Sequence, residues 1–193
     1  MNSLDKKFKL IDLSFKVIEM IGWDAFSLKK LSLRENISLT QVMNTLKSKE
    51  NLLEEYSKMI DFRVERNFDF EEMQRTSIKD NLFELIMLRL EFMQPNKMAL
   101  KKILFSMKTK PKTAKKISKN VLNSLDFYLQ LTNAYDDSFF DLFKKKSILL
   151  IYGYVFMIWL EDDSEELSKT MSELDKLLSF SEKLSKNFKN YIP

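Results

Sequence analysis

A short run of polar side chains between residues 38 and 47 has the composition of a surface that reads DNA bases. A helix over Leu39–Leu46 would bury Val42 and Leu46 on one face, so the polar residues would share the opposite face. These outward residues are Ser38, Thr40, Gln41, Asn44 and Lys47. Gln and Asn side chains can make two hydrogen bonds to an adenine edge, and Ser, Thr and Lys can hold phosphate groups.

Four amphipathic helices predicted in the first sixty residues would position this segment. The apolar residues of the first helix recur every three or four positions from about residue 5 to residue 21, and Gly22 ends it. The expected N-caps of helices two to four are Ser27, Ser38 and Ser48. Leu28, Leu31 and Leu33 are expected to point inward from the second helix. Asn36 provides the turn before the third helix, because Asn tolerates the left-handed conformation.

The segment from Leu10 to Leu53 resembles the DNA-binding head of the TetR family of transcription regulators. The residues in register are Gly22-Trp23, Ser27-Leu28, Leu31, Ile37-Ser38 and Ser48-Lys49-Glu50-Asn51-Leu52-Leu53. The resemblance implies a homodimer that binds double-stranded DNA with one helix of each head in the major groove. The DNA-binding residues expected on this basis are Ser27, Lys29, Lys30, Ser38, Thr40, Gln41, Asn44, Lys47 and Lys49.

The head also departs from the family's pattern, which leaves a second interpretation open. Met43 stands where the family has Tyr, and Leu46 stands where it has Phe. Residues 1–60 carry ten Lys and Arg against eight Asp and Glu, a net charge of only +2, whereas DNA-binding domains are often more basic. The alternative is a head that folds but does not read DNA.

The rest of the chain predicts further helices, so the expected fold class is all-α. Predicted helices span roughly 77–93, 96–107, 111–132, a segment ending at 160, and 163–189, with breaks at Pro95 and Pro111. Asp163 is the expected N-cap of the last helix, with Glu166 completing a capping box. The expected domains are a head over residues 1–48 and a helical bundle over residues 49–193 for ligand binding and dimerisation.

Residues from about Ile78 to Leu178 resemble two related groups of proteins. One is a group of proteobacterial TetR-type regulators, and the other is a lipid-binding accessory protein of coenzyme Q (ubiquinone) biosynthesis with a TetR-like fold. The most specific matches are Trp159-Leu160-Glu161-Asp162-Asp163-Ser164, Thr170 and Leu174-Asp175. Both groups imply a hydrophobic cavity in the bundle and dimerisation through the last two helices.

Large, pliable apolar residues are the candidates for lining that cavity. They are Phe83, Met87, Leu90, Met93, Met98, Phe105, Phe127, Phe143 and Met157. Met and Phe at helical spacing are also ordinary core residues, so either role is open for each of them. The segment 148–160 is apolar on all sides, and a second subunit covering its outer face is the simplest account.

A basic stretch lies between Phe92 and Leu125, where the sequence has nine lysines and no acidic residue. The lysines are Lys97, Lys101, Lys102, Lys108, Lys110, Lys112, Lys115, Lys116 and Lys119. They can form a solvated face that balances acidic residues elsewhere. They can also contact DNA flanks or the head groups of an anionic membrane.

Composition argues against most enzyme classes and points to no cofactor. The chain lacks His and Cys, which removes the commonest general base and thiolate chemistry, and its two glycines cannot form a phosphate-binding loop. The paired acids near residues 136 and 162 fit helix capping. The longest nearly apolar run has 13 residues against the roughly 20 that span a bilayer. We therefore expect a cytoplasmic protein.

These features together predict a one-component transcription regulator that binds DNA as a homodimer and responds to a hydrophobic small molecule. Ligand in the bundle would shift the fourth helix, change the separation of the two heads and so lower the affinity for DNA. The rival prediction is a lipid-binding accessory protein of ubiquinone biosynthesis whose TetR-like head does not bind DNA.

Overall fold

The computed structural model describes residues 3–108, 110–138 and 140–191, without the side chains of 112, 113, 116 and 188–191. All regular secondary structure in this part of the chain is helical, which confirms the predicted all-α class. The helices are α1 (Ser3–Ile21), α2 (Leu28–Glu35), α3 (Leu39–Thr45), α4 (Lys49–Asn67), α5 (Phe70–Met73), α6 (Ile78–Met93), α7 (Lys97–Met107), α8 (Pro111–Leu131), α9 (Asp141–Glu161) and α10 (Ser168–Tyr191). A 3-10 turn over Gln94–Asn96 separates α6 from α7 at Pro95. None of the described helices combines the length and the apolar character needed to cross a bilayer.

Local signals in the sequence fix most of the helix ends in the N-terminal part of the chain. Gly22 ends α1 with a φ of +80°, a conformation that glycine adopts without steric cost. Ser27 caps α2 by accepting a hydrogen bond from the Lys30 amide at 3.2 Å. Ser48 precedes α4 and accepts one from the Asn51 amide at 3.0 Å. These three predictions are confirmed.

Ser38 and Leu33 differ from their predicted roles. Ser38 holds the N-cap position of α3, but its side chain makes no capping hydrogen bond. Leu33 is 72% exposed, so the prediction that it points inward is wrong. The short α2 has only two turns, and its inner face is taken by Leu31 and by Ser32, which is bonded to the following turn.

The start of the last helix also differs from the prediction. The helix begins at Ser168 rather than near residue 163, and the carboxylate that organises the turn belongs to Asp162, not to the exposed Asp163. Asp162 accepts hydrogen bonds from the amide and hydroxyl of Thr170 at 2.8 and 2.7 Å and from the hydroxyl of Ser164 at 2.6 Å. The predicted capping box is therefore wrong, because the chain turns for five more residues before the helix starts.

The chain forms two compact units that are each built from separate stretches of sequence. One unit contains Met1–Arg63 and Met93–Asn120, and the other contains Val64–Phe92 and Val121–Pro193. We call the first the basic unit and the second the acidic unit, because their net charges are +11 and −7. The predicted domains, a DNA-binding head over residues 1–48 and a ligand-binding and dimerisation bundle over residues 49–193, are defined by function and stay a prediction.

The core of the basic unit is made where α1 packs against α2, α7 and the 3-10 turn. Ile11, Phe15 and Ile18 of α1 are fully buried, and the Phe15 ring stacks on Tyr56 of α4 with centroids 3.9 Å apart. Because α1 holds α4 in this way, α4 up to Arg63 belongs to the same packed body as α2 and α3.

The core of the acidic unit centres on the pair formed by α9 and α10. Trp159 of α9 and Leu174 of α10 are fully buried. Arg89 of α6 is 2% exposed and donates a hydrogen bond from Nε to the Tyr152 hydroxyl at 3.2 Å. The hydrogen bond gives one donor of the buried guanidinium a partner. The apolar pattern of α6 alone does not explain why a charged residue is buried at this position.

Candidate nucleic-acid interface

The turn between α2 and α3 is locked by backbone and side-chain hydrogen bonds. Asn36 has a φ of +53° and donates its backbone N–H to the Ser32 carbonyl. The Ile37 amide donates to the same carbonyl at 3.0 Å, and the Ser32 hydroxyl donates to the Ile37 carbonyl at 2.7 Å. Ser32 therefore fixes the angle between the two helices. The sequence predicted the role of Asn36 but not that of Ser32, whose type alone gives no such signal.

The third helix is anchored by its apolar face and leaves its polar face in solvent. Val42 and Leu46 are fully buried, as predicted. The five predicted outward residues are all exposed: Ser38, Thr40, Gln41, Asn44 and Lys47. A short helix with one buried face and several exposed amide and hydroxyl side chains has the chemistry needed to bond base edges and phosphates.

Exposed apolar side chains lie among these polar groups. Leu39 is 37% exposed and Met43 is 50% exposed on α3, and Leu33 extends from α2. Apolar side chains on a recognition helix can contact the methyl group of thymine in the major groove. The exposure of these apolar side chains was not predicted. In so short a helix, the sequence positions of its apolar residues do not determine which of them point into the core and which into solvent.

The lysines predicted to hold phosphates fall into two groups. Lys29 and Lys47 are exposed, and Lys30 is exposed too although its ammonium group is engaged by the backbone. Lys30 donates to the Ala25 carbonyl at 2.7 Å, and Lys49 donates to the Trp23 carbonyl while its ammonium lies 4.5 Å from the centre of the Trp23 ring. Lys30 and Lys49 are thus folded onto the α1–α2 turn. Ser27, the remaining predicted contact, uses its oxygen to cap α2.

Burial and neighbouring charges lower the pKa of Lys49 below its ordinary value. Burial is the largest cause, and the positive charges of Lys110 and Lys30 act in the same direction, while Asp24 and Glu50 oppose them. Three ammonium groups and two carboxylates are therefore close enough to influence one another at the start of α2 and α4. An anion arriving at this point would relieve the repulsion between them.

The residues predicted to line a ligand cavity are divided between the two units. Met87, Leu90 and Met93 are buried and Phe83 is half-buried. The other five are exposed by 40% to 73%: Met98, Phe105, Phe127, Phe143 and Met157. Met93, Met98 and Phe105 belong to the basic unit and the others to the acidic unit, so neither unit gathers the whole set.

Two members of this set line an open groove in the basic unit. Met98 and Phe105 of α7 face the α1–α2 turn across a space of about 460 Å³. The remaining lining residues are Ile21, Gly22, Trp23, Asp24, Ala25, Lys101, Lys102 and Ser106. The groove adjoins the head and was not predicted, because the sequence does not show that α7 packs beside this turn.

Exposed apolar side chains follow one face of α9 and continue on α10. Phe143, Leu150 and Met157 are spaced by seven residues on α9 and are 51% to 74% exposed, and Tyr154 between them is 55% exposed. Phe180 and Leu184 are 61% and 41% exposed on α10. Side chains at this spacing share one side of a helix. An exposed apolar stripe of this kind is typical of a surface that another protein covers.

The chain has the fold of two solved TetR transcriptional regulators. One, from Nitrosomonas europaea ATCC 19718, has a TM-score of 0.76 at 15% sequence identity, with 91% of this chain and 96% of that chain covered. The other, from Rhodococcus sp. RHA1, has a TM-score of 0.55 at 12% identity, with 92% and 97% covered. No protein-family model and no curated protein matches the sequence. At these identities the likeness establishes the fold.

Proposed function

We propose that the protein is a one-component transcription regulator of the TetR type, which binds double-stranded DNA as a homodimer. The observation that carries the proposal is the helix-turn-helix of α2 and α3, with Val42 and Leu46 buried and Gln41 and Asn44 exposed. Bidentate bonds from Gln41 and Asn44 to adenine would provide sequence recognition, and the head lysines would fix its register on phosphates.

The exposed stripe on α9 and α10 supports dimerisation through these two helices. A segment that is apolar on all sides must be covered, and in one chain Leu150, Tyr154 and Met157 of α9 are open to solvent. A second copy placing the same stripe against this one would bury both in a two-fold interface. Two heads held in this way would meet successive major grooves of one duplex.

The proposed regulation uses the difference in DNA affinity between ligand-bound and ligand-free forms. Helix α4 begins at Lys49 beside the α1–α2 turn, is held by the stack of Tyr56 on Phe15, and ends at Asn67 in the acidic unit. A hydrophobic ligand that displaces α4 would change the distance between the two heads. Only a ligand with different affinities for the two arrangements can shift the equilibrium in this way.

In vitro selection from a pool of random DNA duplexes tests this proposal. The purified chain is expected to enrich two inverted half-sites whose centres are about 10 base pairs, or a multiple of this, apart. Binding should weaken as salt increases, because phosphate contacts release counterions. A chain that enriches no sequence and shows no salt-dependent binding to duplex DNA would refute the proposal.

A lipid-binding role without DNA recognition is the second candidate, as in the ubiquinone-pathway protein that the C-terminal part resembles. The exposed Leu33, Leu39 and Met43 on the head are the observation that favours it. Under this candidate, protein purified from cells and analysed by native mass spectrometry would carry an isoprenoid or a phospholipid and would retain no DNA. Protein that is purified without bound lipid and that selects a DNA site would refute the lipid-binding role.

A further inference from the structure

Charge is divided very unequally between the two compact units. The basic unit carries twenty Lys and Arg against nine Asp and Glu, a net charge of +11. The acidic unit carries twelve against nineteen, a net charge of −7. The net charge of +4 for the whole chain therefore hides a strongly cationic body that contains the helix-turn-helix. Such a body is expected to attract a polyanion.

Most of this excess charge comes from outside the head. Residues 93–120 contribute nine lysines and no acidic residue, and the structure places this segment in the same compact unit as α1, α2 and α3. Four of these lysines are exposed in the described residues: Lys102, Lys108, Lys115 and Lys119. Lys115 and Lys119 are one helical turn apart on α8, so they share a face.

Contacts tie the corner between α7 and α8 to the head. Lys110 forms an ion pair with Asp24 in the α1–α2 turn, and Asp24 also accepts a hydrogen bond from the Ser106 hydroxyl at 2.8 Å. These hydrogen bonds from Lys110 and Ser106 lower the pKa of Asp24 below its ordinary value. Lys102 donates to the Glu19 carbonyl near the end of α1. The lysine-rich segment is thus fixed beside the turn that leads into α2.

The same corner lies close to the phosphate-binding lysines predicted on the head. The charge of Lys110 reaches Lys49 at the start of α4, as does that of Lys30 on α2. Two acidic groups belong to this cluster: Asp24, which already pairs with Lys110, and Glu50 in the first turn of α4. A phosphate held near Lys30 and Lys49 would therefore meet further positive charge along residues 93–120, which contain no acidic residue.

We propose that the exposed lysines of α7 and α8 form a second DNA-binding surface, which holds backbone phosphates flanking the half-site that α3 reads. The inference rests on the proposed function, since it presupposes a duplex on the head. It favours DNA over a membrane because these lysines share one packed body with the recognition helix. The surface would add affinity without sequence preference and would lengthen the footprint of each subunit.

A charge-neutralising triple variant, Lys108→Gln with Lys115→Gln and Lys119→Gln, tests this surface. The matched control, Lys6→Gln with Lys9→Gln and Lys16→Gln, removes the same charge from exposed positions on α1 of the same unit. Both variants should keep the wild-type melting temperature within the small range usual for surface substitutions. Sedimentation velocity checks that both have the oligomeric state of the wild type.

The assay measures affinity by fluorescence anisotropy for two duplexes over a range of NaCl concentrations. The short duplex contains only the selected site, and the long one extends it by about one helical turn, or 10 base pairs, on each side. The wild type and the control should bind the long duplex more tightly. The test variant should lose that gain. Its negative slope of log K against log salt should become shallower by about 0.9 for each lost phosphate contact.

The outcomes separate this inference from the proposed function. If the wild type binds the selected site and the test variant keeps the wild-type slope and length dependence, the second surface is refuted while DNA reading stands. A wild type that binds neither duplex refutes both. Vesicles containing phosphatidylserine provide the remaining outcome: if the test variant loses vesicle binding but keeps its DNA binding, the lysines serve a membrane and the inference is wrong.

Discussion

Replacing Asp162 with Asn is expected to destabilise the acidic unit strongly, although it changes one atom. The carboxylate is 1% exposed and accepts hydrogen bonds at both oxygens: from the amide and hydroxyl of Ser164 at one, and from those of Thr170 at the other. An Asn side chain would direct an NH₂ group at one of these donor pairs. The hydroxyl of that pair can turn and accept from the NH₂ group, but the amide N–H loses its acceptor. One hydrogen bond of about 1.5–3 kcal/mol is lost and the others weaken toward the roughly 0.5–1.5 kcal/mol of neutral bonds, so we expect a loss of at least about 3 kcal/mol in the free energy of unfolding.

Differential scanning calorimetry measures this effect. For a chain of this size each kcal/mol shifts the melting temperature by about 2–4 °C, so D162N should melt about 6–12 °C below the wild type. The matched control is Glu165→Gln, which makes the same carboxylate-to-amide change at an exposed position of the same turn and should melt within about 1 °C of the wild type, as surface substitutions usually do. Equal melting temperatures for D162N and E165Q would refute the assignment of the turn to Asp162.

The same carboxylate predicts a pH dependence. Burial raises the pKa of Asp162, but hydrogen bonds from Ser164 and Thr170 outweigh it and hold the pKa well below its ordinary value of 3.8. A carboxyl group whose pKa is lower in the folded state contributes stability above the unfolded pKa and loses it as pH falls toward the folded one. The difference between wild type and D162N should therefore be full near neutrality and shrink below about pH 4. A difference that is constant down to pH 2 would contradict this.

Three further predictions, two of them with a control variant, concern the head and the dimer surface. Asn36→Ala should lower the free energy of unfolding by about 1–2 kcal/mol in urea denaturation because φ is +53°, whereas Asn36→Gly should not. Leu46→Ala, at a fully buried position, should cost about 2–5 kcal/mol and weaken DNA binding; an unchanged urea midpoint would contradict the anchoring of α3. Leu150→Glu should give monomers in sedimentation velocity, whereas Met171→Glu, on the side of α10 opposite Phe180, should leave the dimer intact.

The helices themselves were predictable because their signals are local. Apolar spacing, Gly22, Ser27 and Ser48 predict α1, α2 and the start of α4 to within a few residues, since each cap acts on amides no more than four positions away. Short elements were less predictable. The four-residue α5 was missed, although Asp69 caps it by accepting hydrogen bonds from the amides of residues 71 and 72.

Features that depend on tertiary packing could not be obtained in the same way. The spacing of Met98 and Phe105 identifies an apolar face of α7 but not the α1–α2 turn that faces it across the groove. Residues 1–60 alone predict a nearly neutral head, because the sequence does not reveal that residues 93–120 join the same packed body. That pairing changes the charge around the helix-turn-helix from slightly to strongly positive.

The central claim is that the exposed polar face of α3 reads bases, and matched variants on the selected DNA site test it directly. Gln41→Ala with Asn44→Ala removes the two proposed adenine contacts, and Asn123→Ala with Gln130→Ala removes an exposed pair of the same types from α8. Each bidentate contact is worth about 1–3 kcal/mol, so the α3 variant should lose about 10-fold or more in affinity per contact and should no longer distinguish the selected site from one with its adenines replaced. An α3 variant that discriminates between these two sites as well as the α8 variant does would contradict the account.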